Sequence, residues 1–193
     1  MTALIFDPAT QHLPPGRTRM AFDEAEAARV RDPMFASSST RPGLWRGLQD
    51  YLFGFAALEQ RYAAELTAEP LVHFLWLGGS FVSPELDPRN VDVTVCVDAE
   101  NRSRLRGRPG SGWMNDAFTR RKMLPLFGVS SLEMLYHPVA SVFEMHKLNA
   151  AERFYLQSRG AWDDWWQRCR IPGQGEPSAE SAQTRRGYVE VIL

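Results

Sequence analysis

Lysine is nearly missing from this chain: it occurs only at Lys122 and Lys147, and arginine carries almost all of the positive charge. A GC-rich genome produces such an excess without any phosphate to recognise, so the arginines alone do not point to nucleic acid. An excess of charge of one sign is also lacking, the formal balance being −1 at pH 7. Electrostatic recognition must then come from local clusters. Cysteine is confined to Cys96 and Cys169, which excludes a disulfide scaffold or a CxxC zinc site and suits a reducing cytosol. His12, His73, His137 and His146 have no HxxxH or HxH spacing, which argues against zinc. His73, within an apolar run, reads as a hydrogen-bonded core residue. No apolar run approaches the roughly 18 residues that span a bilayer, and "MTALIFDPATQHLPPG" lacks the basic and apolar regions of a secretion signal. The expected location is cytoplasmic, with no membrane partner.

What is present is a globular composition, 44% hydrophobic and 23% charged in 193 residues. One domain over 1–193 is expected, with an N-terminal extended and helical segment (about 1–66) packed on a core (about 67–193). After an extended start, "LPPG" fixes a turn and "TRMAFDEAEAARVRD" is expected to open a helix. A longer amphipathic helix follows from about Leu44 to Leu66, with apolar residues three and four apart. Leu71 to Leu77 has the length of a buried strand, and "VDVTVCV" (Val91 to Val97) alternates valine with other residues. That alternation places Asp92, Thr94 and Cys96 on one face and the valines on the other. Further expectations are a loop from Arg102 to Gly112, a helix from Asn115 to Phe127 stopped by Gly128, and a strand from Ser130 to Tyr136. A mostly helical stretch from Ser141 to Cys169, interrupted at Gly160, and a strand in "TRRGYVEVIL" complete the pattern. The fold class is α+β (α/β), a mixed sheet flanked by helices.

The chemistry-bearing segment is "LGGSFVSPELDPRNVDV", Leu77 to Val93. The bare backbone of Gly78 and Gly79 and the Ser80 hydroxyl suit close approach to phosphate, and an acid on the following strand suits a divalent cation. Magnesium takes oxygen ligands in an octahedron, with carboxylates, substrate phosphates and water sharing it. A pair of such ions would bridge the attacking and leaving oxygens of a phosphoryl displacement.

These residues resemble the GS(x)nDxD signature of the nucleotidyltransferase superfamily. More closely, "GGSFVSPELDPRNVDV" is similar to the "GSFVTxKxxPxDIDV" of a bacterial and phage family, domain-of-unknown-function 6932. "LPPGRTRMAFDE" resembles that family's "LPPGxHxxTxxE", and "RRGYVEVIL" resembles its "PKGIVxIxL". The resemblance implies a nucleotidyltransferase-like sheet, with Gly78, Gly79 and Ser80 facing a nucleoside triphosphate and Asp92 holding Mg2+. It departs at Asn90, which stands where the pattern has its first aspartate, and at Glu85, near which the pattern often has a lysine. The superfamily's third acid lies on a later strand; here "GVSSLEMLY" offers Ser130, Ser131 and, as the nearest carboxylate, Glu133.

The leading expectation is therefore a nucleotide-binding or regulatory protein with a degenerate metal site, at Asp92 and Asn90, and impaired catalysis. The resemblance suggests a phage-defence or toxin-antitoxin setting. One alternative is an active magnesium-dependent enzyme, using Asp92 with Glu133 or Asp87 and modifying a protein or RNA hydroxyl. A second is a structural or interaction protein, with homodimer contacts through the tryptophans and apolar strands. Arg102 and Arg104, followed by Arg106, Arg108 and Arg120 to Lys122, are candidate phosphate contacts if they face the same cleft. The opposing reading is a solvated loop. Trp162, Trp165 and Trp166 could stack on a base, although core or dimer packing explains them as well. Ser80 lacks the GxSxG setting of a hydrolase nucleophile.

Overall fold

The computed structural model describes residues 5–8, 10–169 and 185–193. Its centre is a five-stranded sheet in the order β1-β5-β2-β3-β4. The strands are β1 (Gly16–Ala21), β2 (Val72–Gly78), β3 (Val91–Asp98), β4 (Val129–Tyr136) and β5 (Gly187–Ile192). β1 is parallel to β5 and β4 is parallel to β3, whereas β2 is antiparallel to both of its neighbours. The expected mixed sheet flanked by helices is what the chain forms.

The valines of β3 meet the main core. There α2 (Arg41–Arg61) buries Leu48, Tyr51, Phe55 and Leu58 at three- and four-residue spacing. The other face carries Trp76, Cys96, Met134 and Tyr188. It is closed by Tyr155 and Trp166 of α6 (Ala150–Trp166). The sheet thus has a thick core on the α2 side, aliphatic and aromatic together, and a smaller aromatic face on the α6 side, and Gly78 and Asp92 lie on that smaller aromatic face.

Several boundaries differ from expectation. Thr18 to Ala21, expected to open a helix, belong instead to the strand β1, and the helix α1 is confined to Phe22–Arg29. The partner of β1 is β5, at the far end of the sequence, so no local periodicity could reveal it. The segment after β3 is not all loop: α3 (Ala99–Arg104) begins where Asp98 accepts a hydrogen bond from the Asn101 N–H, 2.8 Å. The helix expected over 115–127 is split into α4 (Trp113–Asp116) and α5 (Arg120–Phe127), and Gly128 ends the latter at φ +67°. α6 starts at Ala150, where Asn149 and Glu152 cap each other's backbone N–H, and it runs through Gly160 unbroken. An interior glycine costs about 1 kcal/mol against alanine, too little to stop a packed helix.

Arg41, at the first turn of α2, is fully buried. Its guanidinium donates to the carbonyls of Arg29, Phe81, Ser83, Glu85 and Leu86, at 2.6 to 3.2 Å. The ring of Phe35 lies 3.7 Å from its central carbon. Burial pulls its pKa down to about 10, with Glu85 and Asp87 opposing the shift. Arg41→Met keeps the bulk but strands these carbonyls, and should cost about 3 to 5 kcal/mol in urea unfolding. Arg41→Lys, with fewer donors, should recover only part of that loss.

Candidate functional site

β2 ends at Gly78, which pairs with Asp92 near the start of β3. The chain then turns through a short 3-10 segment, Gly79–Val82, that buries Phe81 and Val82. The two glycines are required for different reasons. A Cβ on Gly78 would stand 2.2 Å from Cε3 of Trp166, and one on Gly79 would stand 2.4 Å from Oδ2 of Asp92. Gly79 also has φ +68°, a conformation that side chains disfavour. The turn is braced by the Ser83 hydroxyl, which donates to the Ser80 carbonyl at 2.7 Å.

Asn90 and Asp92 share a face and touch: the Asn90 amide donates from Nδ2 to Asp92 Oδ1 at 2.8 Å. At that distance from a carboxylate oxygen the amide must present its nitrogen, since an oxygen there would be repelled. Asn90 therefore serves Asp92 as a hydrogen-bond donor. Across from Asp92 on β4 stands Ser130, whose hydroxyl receives a hydrogen bond from Nε of Arg120 at 3.2 Å. Among the described residues this neighbourhood brings together the Asp92 carboxylate, the Asn90 amide, the Ser130 hydroxyl and the Arg120 guanidinium beside the turn.

Glu133 does not join it, a correction to its expected role beside Asp92. In the β3–β4 register Glu133 lies beside Val95, while Ser130 lies beside Asp92. Strand side chains alternate, so Glu133 points to the opposite face. There it forms an ion pair with Arg102. Arg102 and Arg104 are also displaced from the expected cleft. They lie on α3, beyond the far end of β3, and Asp92 is six residues from Asp98, roughly 20 Å at about 3.3 Å per residue. Arg104 pairs with Glu100 and donates to the Glu65 carbonyl at 3.0 Å. Asp87, the other acid weighed for the metal, is held at the start of α2. It accepts from the Ser39 N–H at 2.7 Å, from the Thr40 N–H at 3.3 Å and from the hydroxyls of Ser38 and Ser39 at 3.1 Å.

Of the basic residues expected to face this cleft, Arg120 reaches it through Ser130, because α5 folds against β4. One group on the Asp92 face has no counterpart in the sequence reading. Glu190 of β5 is buried. It accepts from Trp76 Nε1 at 2.9 Å and faces Arg17 and Arg19 of β1 at 3.1 and 3.6 Å. An acid between valines in "YVEVIL" was its signal. Its lone pairs are committed to this cluster, which makes it a structural carboxylate. His73 is hydrogen-bonded as expected, with Nε2 3.2 Å from Asp98 Oδ2, but it is only part-buried and lies outside the core. Trp166 belongs to the core and donates to the Thr94 hydroxyl at 2.9 Å.

The donor set does not fit a two-ion magnesium centre. Such a centre needs several carboxylate oxygens converging, and among the described residues no group of three histidine, cysteine, aspartate or glutamate side chains converges. Asn90 turns its nitrogen inward, and the position facing Asp92 is a hydroxyl.

The sequence profile described as "Family of unknown function (DUF6932)" matches residues 4–192. The chain belongs to that family. No curated protein and no solved structure matches it. In this DUF6932 chain the match takes in β1 and β5, the two adjacent strands drawn from opposite ends of the sequence. No helix among the described residues is long and apolar enough to cross a membrane.

The hydrogen bonds to Asp87 hold its carboxyl below the ordinary 3.8: the Ser39 N–H acts most strongly, against desolvation, with the Ser39 and Ser38 hydroxyls and the Thr40 N–H adding to it. A carboxyl depressed in the fold stabilises above its unfolded value and loses that contribution as pH falls through the folded one. Asp87→Asn should therefore flatten the acid side of the stability profile below about pH 4, read by urea unfolding across that range.

Proposed function

We propose that this chain is a nucleotidyltransferase-like protein with a degenerate metal site, acting as a nucleotide-binding or regulatory protein with impaired catalysis. The likeness is supported by the way the glycine-serine turn closes β2 against an acid that opens an antiparallel neighbour. The observation that carries the loss of catalysis is the Asn90 amide donating to Asp92, with Ser130 across from it on β4 and no group of three metal-binding side chains among the described residues. A neutral donor in that place supplies neither charge nor a metal ligand to offset a triphosphate. Arg120, the turn backbone and the Ser80 hydroxyl remain suited to phosphate oxygens. A phage-defence or toxin-antitoxin setting belongs to the same reading.

A second reading, a purely structural or interaction protein, is favoured by Trp166, whose indole covers Gly78 where a triphosphate would otherwise approach the backbone.

Calorimetry with ATP, GTP, CTP and UTP, each with magnesium, separates the two. Heat with at least one nucleotide, lost in Arg120→Ala, is expected; silence with all four supports the second reading. Transfer is tested by incubating the chain with labelled triphosphates and cell extract. The native chain should transfer no label, and robust transfer abolished by Asp92→Ala would overturn the proposal.

A further inference from the structure

β4 is an outer strand of the sheet, and among the described residues no backbone hydrogen bond reaches its outer side between Leu132 and Tyr136. Such an edge is a template for another strand. Two recesses flank this half of β4, one on each face of the sheet, and Glu133 and Leu135 line both. On the aromatic face a cavity of about 450 Å³ opens between β4 and α6, walled by Phe154, Ala161 and Trp162, with Phe154 63% exposed. On the other face a cavity of about 400 Å³ is bounded by α3 and α4 and holds Arg102, Ser103, Arg106 and Asn115. Arg102 is neutralised by Glu133. The exposed guanidinium of Arg106 has no ion pair or hydrogen bond to another described residue, which leaves that recess positive.

A strand added to an edge sends alternate side chains to opposite faces. Its backbone would supply affinity, and the two recesses would supply specificity. We infer that the outer edge of β4 is a docking strand for an extended peptide of a partner protein that alternates acidic and apolar side chains, acids toward Arg106 and apolar groups toward Phe154 and Trp162. A second copy of this chain fits less well. Two β4 edges laid antiparallel would bring Glu133 of each copy to the same face, but each Glu133 is already paired with Arg102 of its own copy, so Arg106 gains no free acid.

The test uses the full chain and a fluorescein-labelled peptide, GSLELELELGS, against a control with lysine in place of each glutamate, read by fluorescence polarisation. The glutamate peptide should bind, the lysine peptide should not, and hydrogen exchange should show new protection at backbone amides between Leu132 and Tyr136. Arg106→Glu and Ala161→Arg, both at exposed positions, should each weaken binding about tenfold. Matched urea midpoints confirm that these variants fold. No polarisation change with the glutamate peptide, equal binding of both peptides, or binding unaltered by both variants would overturn the inference. So would sedimentation of the native chain as a dimer that the peptide does not dissociate.

Discussion

The buried guanidinium of Arg41 is the constraint on which the Gly78 to Asp92 connection depends. Between β2 and β3 the chain runs through two prolines and little regular structure, and its carbonyls would face the interior without partners. Arg41 takes up those of Phe81, Ser83, Glu85 and Leu86, and ties them to the end of α1 through the Arg29 carbonyl. Arg29 lies beside it, also buried, and donates to the Val82 carbonyl at 3.3 Å. The charge is dispersed over carbonyl dipoles and the Phe35 ring, and no carboxylate among the described residues pairs directly with Arg41. Asp87, within the loop, completes the arrangement by accepting from Ser38, Ser39 and Thr40 just before α2. A single helix end thus holds the loop that delivers Asn90 and Asp92 to β3.

Local pattern told much about this sheet and little about its neighbours. The alternation in "VDVTVCV" was enough to put Asp92, Thr94 and Cys96 on one face, because strand parity is a local property. The stripe in α2 was equally readable. Pairing is non-local, and there the reading failed. β1 looked like a helix opening because its partner lies at the other end of the chain. The face of Glu133 follows from the register that sets Ser130 beside Asp92, three residues earlier. An odd separation along one strand puts two side chains on opposite faces, so Ser130 and Glu133 could never both accompany Asp92. The distance of Arg102 and Arg104 from the turn follows from the direction of β3, since what comes after a strand sits at the end opposite to what comes before it.

The glycine pair has a packing role besides the one its motif suggests. Bare backbone permits close approach, and here the approaching groups include the protein's own Trp166 indole and Asp92 carboxylate. Gly78 is thereby explained by packing. Gly79 is explained by its left-handed backbone and by the acid beside it.

The position of β5 has a consequence for assembly. The last strand in the sequence lies between β1 and β2, the first two. Until Ile192 has been synthesised, β1 lacks the strand it pairs with among the described residues, and β2 has an open side facing where β5 will lie. The hairpin of β2 and β3 can form early with β4 at its flank, and the closing event is the insertion of the final strand. Contacts of such long sequence separation form late and slowly. A nascent or truncated chain would expose apolar strand edges that the finished sheet conceals.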